Sequence, residues 1–205
     1  MTVWTISAQE ATGGTRVAAE LAAAARVPLL DREALSLLAH ETDPALPELD
    51  ELEARFGRFT MLSLSAALSV GAAEAFQEVE LRHRLPELGR TVLGEAARTS
   101  CVIYVPAAFA ALPDHPAAVH VRLGAPLECR IASYQREHLV DRRCAEKALK
   151  RDDHRRQAWV KSLYRVDIDD ARRFSLVLDT SRFSPERLTE ILLAAAGVRT
   201  APVAA

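Results

Sequence analysis

Five short runs rich in apolar and β-branched residues punctuate the chain: Val3 to Ile6, Val27 to Leu30, Cys101 to Val105, Ala118 to Leu123 and Ser175 to Leu178. Their apolar character predicts strands of a sheet covered on both faces. Between them the apolar positions recur at helical spacing, with Val17, Leu21 and Ala25 on one face and Leu35, Leu38 and Ala39 on another. Pro126 at a first helical turn opens a third pattern that continues through Cys129, Ile131 and Ala132. Strands alternating with helices predict a doubly wound α/β fold, a mainly parallel sheet of about five strands that places Ile6, Asp31 and Val105 near one carboxyl edge.

The stretch from Thr42 to Ser100 holds helical patterns, broken at Pro44, Pro47, Gly57 and Pro86, and no convincing strand. It predicts a helical insertion over about residues 42–99. Within it, Met61 to Ala75 is rich in Leu, Ala and Ser with almost no charge, which suits either a buried helix or a self-association surface for a homodimer. A last helix starts at Ser184-Pro185, an N-cap followed by a first-turn proline, and ends at Gly197. Residues 1–198 thus read as a single domain and 199–205 as a flexible tail.

Composition narrows the function classes. The chain of 205 residues is 49% apolar and 26% charged, enough for one sizeable core. No apolar run approaches the roughly 20 residues that cross a bilayer. The N-terminus runs straight into a strand, so a cytoplasmic protein without a membrane partner is expected. Cys101, Cys129 and Cys144 form no C-x-x-C pair, and the six histidines show no metal-ligand spacing. No serine sits in G-x-S-x-G. These absences give hydrolase and metalloenzyme readings no support. Net charge is −2, yet residues 130–173 carry 13 Lys or Arg against 8 acids, while residues 1–129 carry 10 against 17. The basic segment is either a solvated helical face or a polyphosphate clamp, and its sparse aromatics argue against nucleic acid.

The segment from Val3 to Val17 carries the candidate chemistry. A strand turns through Gly13-Gly14 into a helix beginning near Val17, a layout that aims backbone N–H groups at an anion. Lys147, Lys150 and Lys161 are the only lysines, so no lysine serves this loop. The cation is Arg16, an arginine from elsewhere, or absent. Thr12 and Thr15 supply the hydroxyls best placed for magnesium or a phosphate, and either suits a plain N-cap role equally. Asp31 at the end of the second strand could orient an acceptor, with Arg32 on its phosphate, or simply cap the helix from Glu33.

Several separated segments resemble one family, the cytidylate kinase-like proteins, within the P-loop nucleoside monophosphate kinases. Ile6-Ser7, Glu10 and Gly13-Gly14 resemble its I-S-R-E-x-G-S-G-G opening, and Val27 to Glu33 its second strand with the Y-D-R-E ending. Ser100 to Ile103 resembles the third strand, Val119 to Ile131 the strand and A-P-L-x-x-R-I helix start, and Asp179 to Arg182 the closing D/N-T-S-R. The match departs in a loop one residue short, in Gln9 before Glu10, and in Tyr104 to Ala108 where the family commonly has V-G-R.

The resemblance implies a three-layer P-loop NTPase-type fold, with a helical lid over about residues 140–173 and phosphoryl transfer from ATP, with Mg2+, to CMP, dCMP or a similar small nucleotide. It places Arg151, Arg155 and Arg156 as catalytic lid arginines, with Asp152 three positions before Arg155 on one helix face. Thr12, Gly13, Gly14, Thr15 and Arg16 are then the phosphate loop. Asp31, Arg32, Arg130, Asp152 and Arg182 are the substrate side. A nucleotide-binding relative without catalysis and a self-associating interaction module remain the alternatives.

Overall fold

The strands Val3–Ala8 (β1), Leu29–Leu30 (β2), Cys101–Ile103 (β3), Ala118–Gly124 (β4) and Leu176–Asp179 (β5) form one sheet. Its order is β2-β3-β1-β4-β5, and every pairing is parallel. These features come from a computed structural model that describes residues 1–42 and 72–197, the side chains of 72–82 excepted. Among the described residues the helices are Gly14–Ala25 (α1), Arg32–Thr42 (α2), Ala72–Ala96 (α3), Ala108–Ala111 (α4), Leu127–His138 (α5), Arg142–Tyr164 (α6) and Pro185–Ala195 (α7).

Strand alternation sends the residues of β1 to two different cores. Trp4, Ile6 and Ala8 pack with Val17 and Leu21 of α1 and with Leu188 and Leu192 of α7. The indole N–H of Trp4 is satisfied within that layer, donating to the Leu192 carbonyl at 3.1 Å. On the other face, Val3, Cys101 and Ile103 pack with Leu35, Val92, Leu93 and Ala108. The result is the expected three-layer P-loop architecture, helix on sheet on helix. Leu21 has no exposed surface. Leu21→Ala is therefore expected to cost about 2–5 kcal/mol through lost transfer energy and a residual cavity, measured by denaturant unfolding.

Several boundaries differ from the sequence expectation, each for a local reason. The helix after the loop begins at Gly14 rather than Val17, because Gly13 at φ +72° serves as its N-cap. β2 and β3 are shorter than their apolar runs and stop just before Asp31 and Tyr104, which turn into the cleft described below. Pro86 does not break its helix: α3 runs through it. Leu85, Leu88, Val92 and Leu93 all pack against the second face of the sheet or its neighbours, and that burial offsets the roughly 3 kcal/mol cost of an interior proline. Ser184 and Asp141 cap α7 and α6 through the N–H groups of Arg187 and Cys144.

No described helix is long and apolar enough to cross a membrane. Of the Met61 to Ala75 segment proposed for self-association, residues 61–71 lie outside the described residues, as does the 199–205 tail.

Candidate functional site

Between β1 and α1 the chain makes a loop over residues 9–13 in which two residues adopt left-handed backbone, Ala11 at φ 60° and Gly13 at φ 72°. A Cβ on Gly13 would meet nothing within 4 Å. Gly14 is the opposite case: a Cβ there would lie 2.5 Å from Ala8 Cβ and 2.9 Å from the Tyr104 hydroxyl oxygen. Only glycine lets the first turn of α1 sit this close to the end of β1. The first bond of the helix runs from the Val17 N–H to the Gly13 carbonyl at 3.1 Å. The N–H groups of Gly14, Thr15 and Arg16 precede it and have no helical acceptor, so the positive end of the helix faces outward.

That end opens into a cleft of about 1000 Å³ at the carboxyl edge of the sheet. Besides the loop, its walls include Asp31, Arg32, Tyr104, Arg155 and Arg156. The position outside the strand ends, where β1 lies between β3 and β4, is the ligand crevice of open parallel sheets.

The sequence candidates divide by their surroundings. Thr12 is buried, and its hydroxyl donates to the Gln9 carbonyl at 2.7 Å, a bond that holds the loop rather than presenting the hydroxyl. Thr15 lines the cleft and donates to the Tyr104 hydroxyl at 3.4 Å. Arg16 also reaches the cleft wall, with its guanidinium held by Glu20 and Glu186, both at 2.7 Å. Asp31 accepts from the Ala34 N–H at 3.1 Å and so caps α2 while facing the cleft.

Arg155 and Arg156 line the cleft, whereas Arg151 does not and is largely exposed. Asp152 sits 3.3 Å from Arg155 on the same helix. Arg182 is exposed, 3.7 Å from Asp179, and is absent from the cleft wall.

Arg130 is 3% exposed and lies behind the loop. Its two terminal nitrogens bond both Asp153 oxygens at 2.9 Å, and its Nε donates to the Glu10 carbonyl at 2.9 Å. One side chain thus ties α5, α6 and the loop over residues 9–13 together. Ile131, Ala145 and Leu149 add an apolar contact between the two helices, against which Ala11 packs. Asp153→Ala would leave the Arg130 charge buried with only the loop carbonyl as partner. The expected cost is about 3 kcal/mol, the low end for breaking a buried pair because Asp153 is itself partly exposed; thermal or urea unfolding measures it.

The cytidylate kinase-like family matches residues 3–182. The chain belongs to that family. No curated protein matches it.

Solved structures similar to this cytidylate kinase-like chain share its fold. An uncharacterised protein from Eubacterium ventriosum is 18% identical over 97% of this chain and 99% of its own, with a TM-score of 0.69. A gluconokinase from Sinorhizobium meliloti is 12% identical over 96% and 91%, with a TM-score of 0.54. A shikimate kinase from Bacteroides thetaiotaomicron is 12% identical over 94% and 96%, with a TM-score of 0.51. The architecture is that of P-loop kinases, and the family is kinase-like.

Three residues around this cleft or its loop were not among the candidate site residues read from the sequence, although Glu10 lies in the stretch that resembles the family's opening motif. Tyr104 stands where the strand was expected to continue, and burial raises its phenol pKa above the ordinary value, against the opposing Thr15 hydrogen bond. It is therefore a neutral hydroxyl at the loop. Asp153 is the partner of Arg130, one position beyond the aspartate expected. Glu10 places its carboxylate on Arg156, which also donates to the Ala8 carbonyl at 3.0 Å.

Proposed function

We propose that this protein transfers the γ-phosphoryl group of ATP to CMP, dCMP or a similarly small nucleotide. The observation that carries the reading is the joint lining of one cleft by the uncapped N-terminus of α1, the Gly13-Gly14 turn and two arginines of α6. Phosphoryl transfer asks a protein mainly for positioning and positive charge. The N–H groups of Gly14 and Thr15 would hold the donor phosphates, and Arg155 and Arg156 would neutralise charge on the transferring group. Asp31 and Arg32 line the same cleft where β2 meets α2 and suit an acceptor and its phosphate. In the step itself the acceptor phosphate oxygen bonds to the γ-phosphorus as the bond to the β–γ bridging oxygen breaks, leaving ADP. Arg130 would act by position, keeping the loop and α6 in register.

Mg2+ fits this site as a companion of the phosphates. No cluster of three or more His, Cys, Asp or Glu able to hold a metal occurs among the described residues, and such ions are commonly held by substrate phosphates with few protein ligands. Thr15 is the hydroxyl that would reach it. The ion would supply charge neutralisation between phosphates.

A second reading, nucleotide binding without turnover, draws on the carboxylates already on Arg16 and Arg156 and on the lack of any lysine before Lys147. A coupled ADP-release assay with ATP, Mg2+ and CMP or dCMP, run beside a thermal-shift measurement, separates them. Turnover supports the kinase; a nucleotide-dependent rise in melting temperature without turnover selects the binding protein.

A further inference from the structure

Each loop-side arginine described above has a carboxylate partner, but the partners differ in what they join. Arg155 pairs with Asp152 within α6. Arg16 pairs across the surface of α1 and α7, and Arg130 pairs with Asp153 behind the loop. The pair between Arg156 and Glu10 instead joins α6 to the phosphate loop inside the cleft. An acid in such a position is chemically contrary. It adds negative charge where anions are to bind, and it engages a cation that a phosphate would use.

We infer that Glu10 is a resident anion of this cleft, a residue that sets its affinity for phosphate groups by holding Arg156 until a polyphosphate displaces it. The inference rests on the phosphate-cleft reading above. Geometry makes the exchange feasible. The backbone of Glu10 is held independently of its side chain, because Arg130 grips the Glu10 carbonyl. Arg156 also donates to the Ala8 carbonyl at 3.0 Å through its other terminal nitrogen, a second bond that would hold the guanidinium at the mouth of the loop once the carboxylate leaves. The side chains of Glu10 and Arg156 are 33% and 21% exposed, shielded enough for the pair to matter and open enough for a ligand to replace it. A triphosphate, with several charges and bidentate oxygens, competes with one carboxylate better than a single phosphate does. Glu10 thus favours polyphosphates over monophosphates at this position.

Isothermal titration of the full chain with tripolyphosphate, and separately with Mg-ATP, tests this on wild type and Glu10→Gln, with both repeated in an Arg156→Gln background. Removing the carboxylate is expected to tighten tripolyphosphate binding roughly tenfold, equivalent to about 1.4 kcal/mol. That gain is expected to vanish when Arg156 is absent, as a double-mutant cycle requires of a coupled pair. Should the glutamine variant fail to fold, Glu10→Ala carries the same expectation. Unchanged or weaker binding in the variant, with wild type binding normally, overturns this inference alone. A gain that persists without Arg156 overturns it as well. Absence of binding by wild type and variant together overturns the phosphate-cleft reading and this inference with it.

Discussion

Arg156→Ala is expected to lower turnover in ATP-dependent phosphoryl transfer by about a thousandfold or more, the scale on which arginine contacts to a transferring phosphoryl group act. The argument starts from what is missing. With lysines only at 147, 150 and 161, none of them on the cleft wall, the positive charge that the protein itself brings to the phosphates must come from helix N–H groups and arginine. Arg156 reaches the loop itself, through the Ala8 carbonyl and the Glu10 carboxylate, whereas Arg155 lines the cleft from beside Asp152. Both are candidates for the transferring group, and Arg156 is the better placed. The fold should tolerate the change, since the side chain is partly exposed and such ion pairs contribute about 1 kcal/mol or less. Coupled kinetics beside a melting curve checks it: kcat falls while the melting temperature stays within a few degrees. Unaltered turnover in the variant would remove Arg156 from the chemistry.

Gly14→Ala is the second large effect, and it strikes binding. The added methyl would sit 2.5 Å from Ala8 Cβ and 2.9 Å from the Tyr104 hydroxyl oxygen, so the first turn of α1 must move away from β1. Overpacking of this kind costs about 1–3 kcal/mol. The same displacement takes the N–H groups of Gly14 and Thr15 out of line with the loop, so nucleotide affinity should fall at least tenfold, about 1.4 kcal/mol. Gly13→Ala is the instructive contrast. Its Cβ would meet nothing, and its penalty is the left-handed backbone at φ 72°, roughly 1–2 kcal/mol. Chemical unfolding of the two variants, combined with titration by Mg-ATP, separates a steric wedge under the helix from simple backbone strain.

Much of the architecture was legible because it is written in local pattern. Apolar runs at Val3 and Ala118 became β1 and β4, and Ser184-Pro185 opened the last helix at its expected residue. Asp31 shows why a site is harder to read than a fold: its capping of α2 and its place on the cleft wall are both real, so neither role displaces the other. The α6 helix contains two overlapping acid–arginine pairs, Asp152 with Arg155 and Asp153 with Arg156. One step along a helix rotates a side chain by about 100°. Spacing alone cannot say which pair faces the loop; the burial of Arg130 against Asp153 decides it. Pro86 misled for the converse reason, since the packing that keeps α3 intact comes from residues distant in sequence. Glu10 lies in the stretch that resembles the family's opening motif and Tyr104 in an apolar run, yet neither pattern names the partner that each meets. Their roles exist only once β1, β3 and α6 converge.

The central claim is that the Gly13-Gly14 turn and the arginines of α6 form one nucleotide-phosphate site. Isothermal titration with Mg-ATP, comparing wild type with Gly14→Ala, tests it most directly. The account predicts saturable binding by wild type with a dissociation constant in the range of about 1 μM to 1 mM, the usual span for enzyme substrates, weakened at least tenfold in the folded variant. No binding by wild type, or equal binding by both proteins, would contradict it.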